Sequence, residues 1–345
     1  MRTALFLFAA LLVIAAGAGE WAAAAWNQPG PAAASGNQSV VVIEPHTKLH
    51  DIAQQLEDAH LLNYAVVFEF DLYLHRLNDK VKAGEYAMPS NASMADIAAI
   101  LASGKSIQHK LTAAEGLTSD MIYKLVAADP DLMGDGGPEP AEGTLLPETY
   151  LFTRGTTRAQ LLERMQKAQT KFLAEKWPTR AQGLPFQTQA QAVILASIVE
   201  KETSLPEERR HIAAVFVNRL KDGMKLQSDP TIIYGITKGY PLGRDIRASE
   251  IVQPTPYNTY EIDGLPPSPI CDPGKDSLVA VLDPEQSADL YFVATGQGGH
   301  VFAATVTEHN KNVIAYRAYE KLKESGEPVI AAPTPSKLHA RHRHA

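Results

Sequence analysis

Two glutamates stand one residue apart in Ala196-Ser-Ile-Val-Glu-Lys-Glu-Thr203. Their placement is the first feature of this 345-residue chain that points to chemistry. Apolar periodicity predicts a helix over Gln187 to Thr203. At about 100° per residue, Ile194, Leu195, Ile198 and Val199 gather on one side of it. Glu202 lies three and four residues beyond Val199 and Ile198 and so falls within that stripe, whereas Glu200 points the other way, beside Ala196 and Ser197. A carboxyl on a buried face costs free energy unless it is paired or kept protonated. Desolvation raises its pKa, which a general acid working near neutrality requires. The competing reading is structural, with Glu202 near the helix end paired to a basic side chain such as Arg209 or Arg210.

Elimination narrows the chemistry. No His-Glu-x-x-His zinc motif is present, and the 11 histidines are scattered or lie in the C-terminal tail. There is no Gly-x-Ser-x-Gly elbow, no Walker A loop, and the single cysteine, Cys271, sits in a Pro-rich loop without an obvious base. Gly296, Gly298 and Gly299 do not form a dinucleotide fingerprint, because they join two strand-like runs and no helix opens after them. An enzyme with this inventory uses carboxylates, and glycoside cleavage is the leading chemistry for an exported chain.

The case for export lies at the N-terminus. Arg2 precedes a run free of charge from Thr3 to Gly19, followed by Glu20 and a further apolar stretch to Trp26. Counted through Trp26, the segment reaches the roughly 20 residues of a membrane span, with Trp21 and Trp26 suited to the far interface. A cleaved signal peptide ending among Ala22 to Ala25 is the alternative. Both readings place the remainder outside the cytoplasm. The expected organisation is a membrane anchor over residues 1–26, a Pro/Gly/Ser linker over 27–37, a small α/β unit with its extension over 38–140, a second domain over 141–324 and a disordered tail over 325–345. The first unit reads strand (Ser39 to Ile43), helix (Leu49 to Leu56), helix (Ala65 to Leu77), strand (Val81 to Met88). A helix (Ser93 to Leu101), a strand near Lys110 and a helix (Thr118 to Ala128) follow. In the second domain, helices are expected over Thr157 to Leu173, Gln187 to Thr203, Pro206 to Leu220 and Thr307 to Lys323. A β-hairpin joins Leu290–Thr295 to His300–Thr305, and a long structured loop region covers Leu220 to Lys275. With 45% apolar and 21% charged residues the chain is globular, and a net charge of −7 argues against nucleic acid as partner. The basic cluster His339, Arg341, His342, Arg343 and His344 reads as disordered surface.

Several motifs in order then carry a resemblance. Ala196 to Thr203, Val215-Phe-Val-Asn-Arg-Leu220, Leu226-Gln-Ser-Asp-Pro-Thr-Ile-Ile-Tyr-Gly235, Thr255-Pro-Tyr-Asn-Thr-Tyr260, Gly264-Leu-Pro-Pro267 and Tyr291-Phe-Val293, with Lys82 to Tyr86 and Pro147 to Tyr150, resemble the endolytic murein transglycosylases, the MltG/YceG-like family. The resemblance implies an α+β protein, with a LysM-like subdomain followed by a lytic-transglycosylase-like catalytic domain. It implies an inner-membrane protein facing the periplasm, acting on peptidoglycan without metal or cofactor and associated with penicillin-binding protein synthases. A glutamate followed by Ser or Thr near a helix end is catalytic in such enzymes, which fits Glu202-Thr203 rather than Glu200-Lys201. The implied reaction cuts between N-acetylmuramic acid and N-acetylglucosamine within nascent strands. Glu202 acts first as acid and then as base, leaving a 1,6-anhydro end. Gln227, Asp229, Tyr257, Asn258 and Tyr260 are the expected substrate-binding residues, since amides bond sugar hydroxyls and rings pack on sugar faces. Asp229-Pro230 reads equally well as a turn, and the two tyrosines as core; His300 and Asn310 are weaker candidates. Two rivals stay open: a hydrolytic muramidase pairing Glu202 with Asp229, and a non-catalytic peptidoglycan-binding scaffold.

Overall fold

Residues 2–325 are described by the computed structural model, and the basic tail expected to be disordered lies outside them. Helix α1 (Arg2–Asn27) opens the chain. Among the described residues no helix is long and apolar enough to cross a membrane. Strand β1 (Gln38–Ile43), helices α2 (Leu49–Asp58) and α3 (Ala65–Leu74), strand β2 (Gly84–Pro89) and helix α4 (Met94–Ser103) follow in the expected order. β1 and β2 pair antiparallel from Gln38 opposite Pro89 to Ile43 opposite Gly84. Their inward residues Ile43, Tyr86 and Met88 close a core with Leu56, Phe68, Leu72, Ile97 and Leu101. α4 begins at a reciprocal cap, with Ser93 Oγ accepting from the Asp96 N–H and the Asp96 carboxylate accepting from the Ser93 N–H. It ends at Gly104, whose φ of 68° supplies the left-handed cap. α3 stops one turn short of the expected Leu77. Arg76 turns left-handed (φ 55°), and the Leu77 N–H reaches back to the Leu72 carbonyl, which closes the helix end.

Strand β3 (His109–Thr112) and helix α5 (Ser119–Ala128) follow. A strand not foreseen from the sequence, β4 (Thr149–Phe152), pairs antiparallel with β3, His109 facing Phe152. Helices α6 (Arg158–Lys176), α7 (Gln189–Glu202), α8 (Pro206–Lys221), α9 (Asp229–Thr237), α10 (Ala248–Ile251) and α11 (Lys275–Leu282) come next. The expected hairpin, β5 (Tyr291–Ala294) with β6 (His300–Ala303), and helix α12 (Val306–Ser325) complete the described chain. The fold is α+β. By contacts the chain forms two units, and the division is not a single cut at 140. The first unit takes residues up to Ala113, Asp120–Pro140 and Glu148–Met165; the second takes Ala114–Ser119, Ala141–Pro147 and the chain from Gln166.

The region expected to be loop, Leu220 to Lys275, contains α9 and α10, and α11 begins at its end. Asp229-Pro230 is not an isolated turn: Pro230 occupies the first helical turn of α9, where its missing N–H costs nothing. At the centre of the second unit lies α7, capped by Thr188 and Gln191 and packed against α8, α9 and α11. Every residue from Ala192 to Val199 is buried, so α7 is a core helix and not the one-sided helix its apolar stripe implied. Ala196 and Ser197 are as buried as Ile198. Helical phase therefore decides which glutamate faces which neighbour, and not which one meets solvent.

Candidate active site

Glu202 is the last residue of α7. Thr203 leaves the helix with extended backbone (φ −144°, ψ 139°), and its buried hydroxyl accepts from the Leu205 N–H at 3.0 Å and donates to Glu208 Oε2 at 3.3 Å. Pro206 then opens α8, so the turn is brief and the carboxyl of Glu202 is aimed at the segment linking α8 to α9. There Ser228 Oγ donates a hydrogen bond to Glu202 Oε1.

Ser228 is itself fixed from several sides. Its N–H donates to Thr259 Oγ1 at 2.9 Å, and its carbonyl accepts from Thr231 Oγ1 at 2.6 Å. The preceding Gln227 is held left-handed at φ 54°, with its N–H on the Thr259 carbonyl at 3.1 Å and its Oε1 accepting from Arg219 at 3.2 Å. Arg219, on the last turn of α8, is buried. It donates to the carbonyls of Leu290 (2.6 Å), Leu226 (2.9 Å) and Lys225 (3.1 Å), and its guanidinium lies 5.1 Å over the Tyr291 ring. One cation thus ties the 225–227 segment to the β5 strand, and its charge acts on Glu202.

Around the carboxyl opens a cleft of about 420 Å³, lined by Glu202, Arg219, Gln227, Asp229, Tyr260 and His309 with the apolar Leu226, Phe292 and Val293. That volume suits a segment of glycan rather than an ion or a water cluster. Glu202 forms part of the cleft floor, reached from the cleft and otherwise surrounded by protein. Its pKa is pushed up from the ordinary 4.5 to about 7, chiefly by desolvation, with the Asp229 charge adding to the rise. The Ser228 hydrogen bond and the Arg219 charge pull the other way. Asp229 accepts from the Tyr260 hydroxyl at 2.7 Å, and burial first, then this bond, raises the phenol well above its usual range. His309, stacked on Tyr291 with ring centroids 5.1 Å apart, is lowered by burial and by Arg219 and is therefore neutral at pH 7. A carboxyl poised near neutrality, one anchored hydroxyl donor and a fixed cation form an arrangement chemically suited to acid–base work by one titrating group. Among the described residues no group of three or more His, Cys, Asp or Glu side chains is arranged to hold a metal ion.

Glu200 is occupied differently. Its carboxylate accepts the Gly274 N–H at 3.0 Å and lies 4.0 Å from Arg209, which also meets Glu115 (3.7 Å) and Asp276 (3.5 Å). Arg210 pairs with Asp283 at 2.7 Å. The two arginines weighed as structural partners for Glu202 are thus engaged with other carboxylates.

Against known proteins, the model of the YceG-like family matches residues 41–315. The chain belongs to the YceG-like family. It is 32% identical over 236 residues to a Bacillus subtilis protein named endolytic murein transglycosylase, covering 66% of this chain and 64% of that one. A Streptococcus pneumoniae protein of the same name is 30% identical over 325 residues, covering 79% of this chain and 57% of that one. The chain therefore spans less than two thirds of the length of these relatives. A solved YceG-like protein of Listeria monocytogenes is 29% identical and covers 80% of this chain and 99% of its own, with a TM-score of 0.49.

In this YceG-like chain the cleft collects Gln227, Asp229 and Tyr260 from the expected binding residues, but not Tyr257 or Asn258. Tyr257 hydrogen-bonds Ser268 at 2.7 Å and packs on Tyr234 with ring centroids 4.8 Å apart. Asn258 is buried. Its Nδ2 donates to the carbonyls of Ile251 (2.8 Å), Gln253 (2.8 Å) and Glu250 (3.3 Å), and its Oδ1 accepts from the Tyr260 N–H at 3.0 Å. With its donors and acceptor spent on backbone, it organises the loop that presents Thr259 and Tyr260. His300 binds Glu208 through Nδ1 at 2.8 Å and through its N–H at 2.7 Å, and Asn310 is exposed on α12; neither lines the cleft. Sequence reasoning missed Ser228, Arg219, Phe292 and His309 as members of the YceG-like site. For Ser228 the signal was available: a hydroxyl between Gln227 and Asp229, both already singled out. For Arg219 it was a cation among the apolar positions of α8.

Proposed function

We propose that this YceG-like protein cleaves peptidoglycan glycan strands internally as a lytic transglycosylase. The observation that carries the reading is the single carboxyl of Glu202, held near pH 7 at the floor of a glycan-sized cleft and anchored by Ser228. The names of its relatives support the same substrate and reaction. Protonated Glu202 donates its proton to the oxygen linking N-acetylmuramic acid to N-acetylglucosamine. That C–O bond breaks as positive charge develops at C1, and the N-acetylglucosamine end departs as an alcohol. The Glu202 carboxylate, stabilised in that state by Ser228 and Arg219, then takes the proton of the C6 hydroxyl as its oxygen bonds C1. The products are a 1,6-anhydromuramic end and a regenerated acid, with no water consumed. Gln227, Asp229 and Tyr260 orient the sugars, and Phe292 and Val293 offer apolar surface to their faces.

Digestion of purified sacculi, with products read by mass spectrometry, tests the reaction. Anhydro ends are expected and should vanish in Glu202→Gln. Reducing muramic ends in their place would favour hydrolysis by Glu202 with Asp229, the other carboxylate of the cleft. A Glu202→Gln chain that keeps its fold and its activity in cells, with no digestion of sacculi by wild type, would leave only a binding scaffold. The strand–helix–helix–strand order around the antiparallel β1–β2 pair supports a LysM-like glycan-holding role for the first unit, tested by its retention on sacculi in the Glu202→Gln chain. Although α1 falls short of a membrane-crossing helix among the described residues, the run free of charge from Thr3 to Gly19 after Arg2 supports an inner-membrane anchor with the rest of the chain in the periplasm. Release from membranes by alkaline carbonate, or a mature N-terminus among residues 22–26, would overturn the anchor. Association with penicillin-binding protein synthases follows from that location and substrate; failure to crosslink to any of them in cells would exclude it.

A further inference from the structure

Helix α3 breaks the rule that a surface helix turns polar residues outward. Ala65, Phe68 and Leu72 fill the core of the first unit, yet the opposite side is apolar too: Val66 is 74% exposed, Phe70 61%, Tyr73 56% and Leu74 65%. A helix whose outward face carries this much uncovered apolar surface marks an interaction surface or a membrane contact. Its position selects between them. Tyr64, just ahead of α3, meets Trp21 of α1 edge-on with ring centroids 5.1 Å apart. Trp26, about 7.5 Å further along α1, stacks on Phe68 and His75. The exposed face of α3 therefore continues from the C-terminal turns of α1, whose own Leu12, Val13 and Ile14 are exposed.

We propose that the outer face of α3 is a membrane-contact surface that lies in the lipid headgroup zone at the foot of α1. The inference rests on the anchor reading above. Trp21 and Tyr64, aromatic rings with a polar edge, set the level of the interface, and Val66 and Phe70 dip towards the acyl boundary. Charge on this side suits an anionic leaflet. The acid Glu69 is paired with His50 at 3.0 Å, and Arg76 is exposed just past the helix, a cation available to lipid phosphate. The first unit is thereby seated on the bilayer rather than left swinging on residues 27–37.

The full chain offers a clean test, because its one cysteine, Cys271, is buried. Single Ile14→Cys, Val66→Cys, Phe70→Cys and Lys105→Cys variants are labelled with an environment-sensitive fluorophore. They are then reconstituted into phosphatidylethanolamine–phosphatidylglycerol vesicles containing nitroxide lipid. Labels at 14, 66 and 70 are expected to be quenched about two-fold or more, and the label at exposed Lys105 to stay unquenched. If position 14 is quenched while 66 and 70 are not, the anchor stands and the contact surface falls. If 14 is unquenched too, the anchor itself is wrong. If Phe70→Cys instead forms disulfides between copies in the vesicles, the face is covered by a second copy and the lipid assignment is overturned.

Discussion

Ser228 and Arg219 hold the pKa of Glu202 down against the desolvation that drives it up, so each is a handle on the working pH. In Ser228→Ala the carboxylate loses its anchoring donor. The alkaline limb of the kcat/KM profile is expected to move up by about one pH unit, with a fall in kcat, because a hydrogen bond to a charged group is worth about 1.5–3 kcal/mol. An unshifted limb would mean that the bond leaves the titration untouched. Glu202→Gln is expected to lower anhydro-product formation by about 10²- to 10⁴-fold while leaving sacculus binding intact. The same variant bears on stability. The folded pKa, about 7, lies above the ordinary 4.5, so the proton is held more tightly in the native state. Glu202 therefore contributes its full stability below about pH 4.5 and loses it as pH rises through 7. At pH 8 the native protein must carry a desolvated charge, and Glu202→Gln should be more stable than wild type by roughly 1–3 kcal/mol, discounted because the cleft admits solvent. At pH 4.5 the two should melt together. Thermal melts at the two pH values decide it.

Among the elements, the 250–260 loop supplies Tyr260 to the cleft and governs the rest of the site through residues that do not line it. Asn258→Ala strands the carbonyls of Ile251 and Gln253 and frees the Tyr260 N–H, costing about 2–3 kcal/mol and loosening Thr259, on which both Gln227 and Ser228 hang. Its melting temperature and activity should fall together, whereas Tyr260→Phe should lower activity with little change in melting. The contrast also shows how far the chain could be read from its sequence. Long periodic helices and the hairpin were legible, because 3.6- and 2-residue patterns survive over many residues. α9 and α11 were not, since Gly, Pro and Tyr punctuate their neighbourhood and each is short. β4 has four residues and exists because β3 offers it a partner. Glu202 was legible through phase and neighbours, but the apolar stripe misled about α7, which is buried on every side. Asn258 and Tyr257 carry the chemistry of sugar recognition, and only the surrounding carbonyls and Ser268 reveal that it is spent internally.

For the whole molecule, the interleaving of the two units has a mechanical counterpart at Asp272. This buried acid accepts from Ser119 Oγ at 2.7 Å and the Leu145 N–H at 2.8 Å, while its own N–H donates to the Leu117 carbonyl at 2.8 Å. Desolvation outweighs these bonds and raises its pKa to about 8, so it is neutral at pH 7. Segments from either side of residue 140 thus meet on one side chain inside the second unit. A fragment starting at Ala141, the boundary that composition suggested, lacks Leu117 and Ser119. It is expected to lose the sharp thermal transition of the full chain when followed by circular dichroism.

The residues that line the cleft are also made at different times. Synthesis delivers Glu202 and its Ser228 anchor first, and Phe292, Val293 and His309 only near the end of the described chain. Until the hairpin and α12 are in place, Arg219 has no Leu290 carbonyl to grip and the cleft lacks Phe292, Val293 and His309. A chain clipped before β5 therefore keeps Glu202 and Ser228 but is expected to lose part of the enclosed setting that raises the carboxyl's pKa.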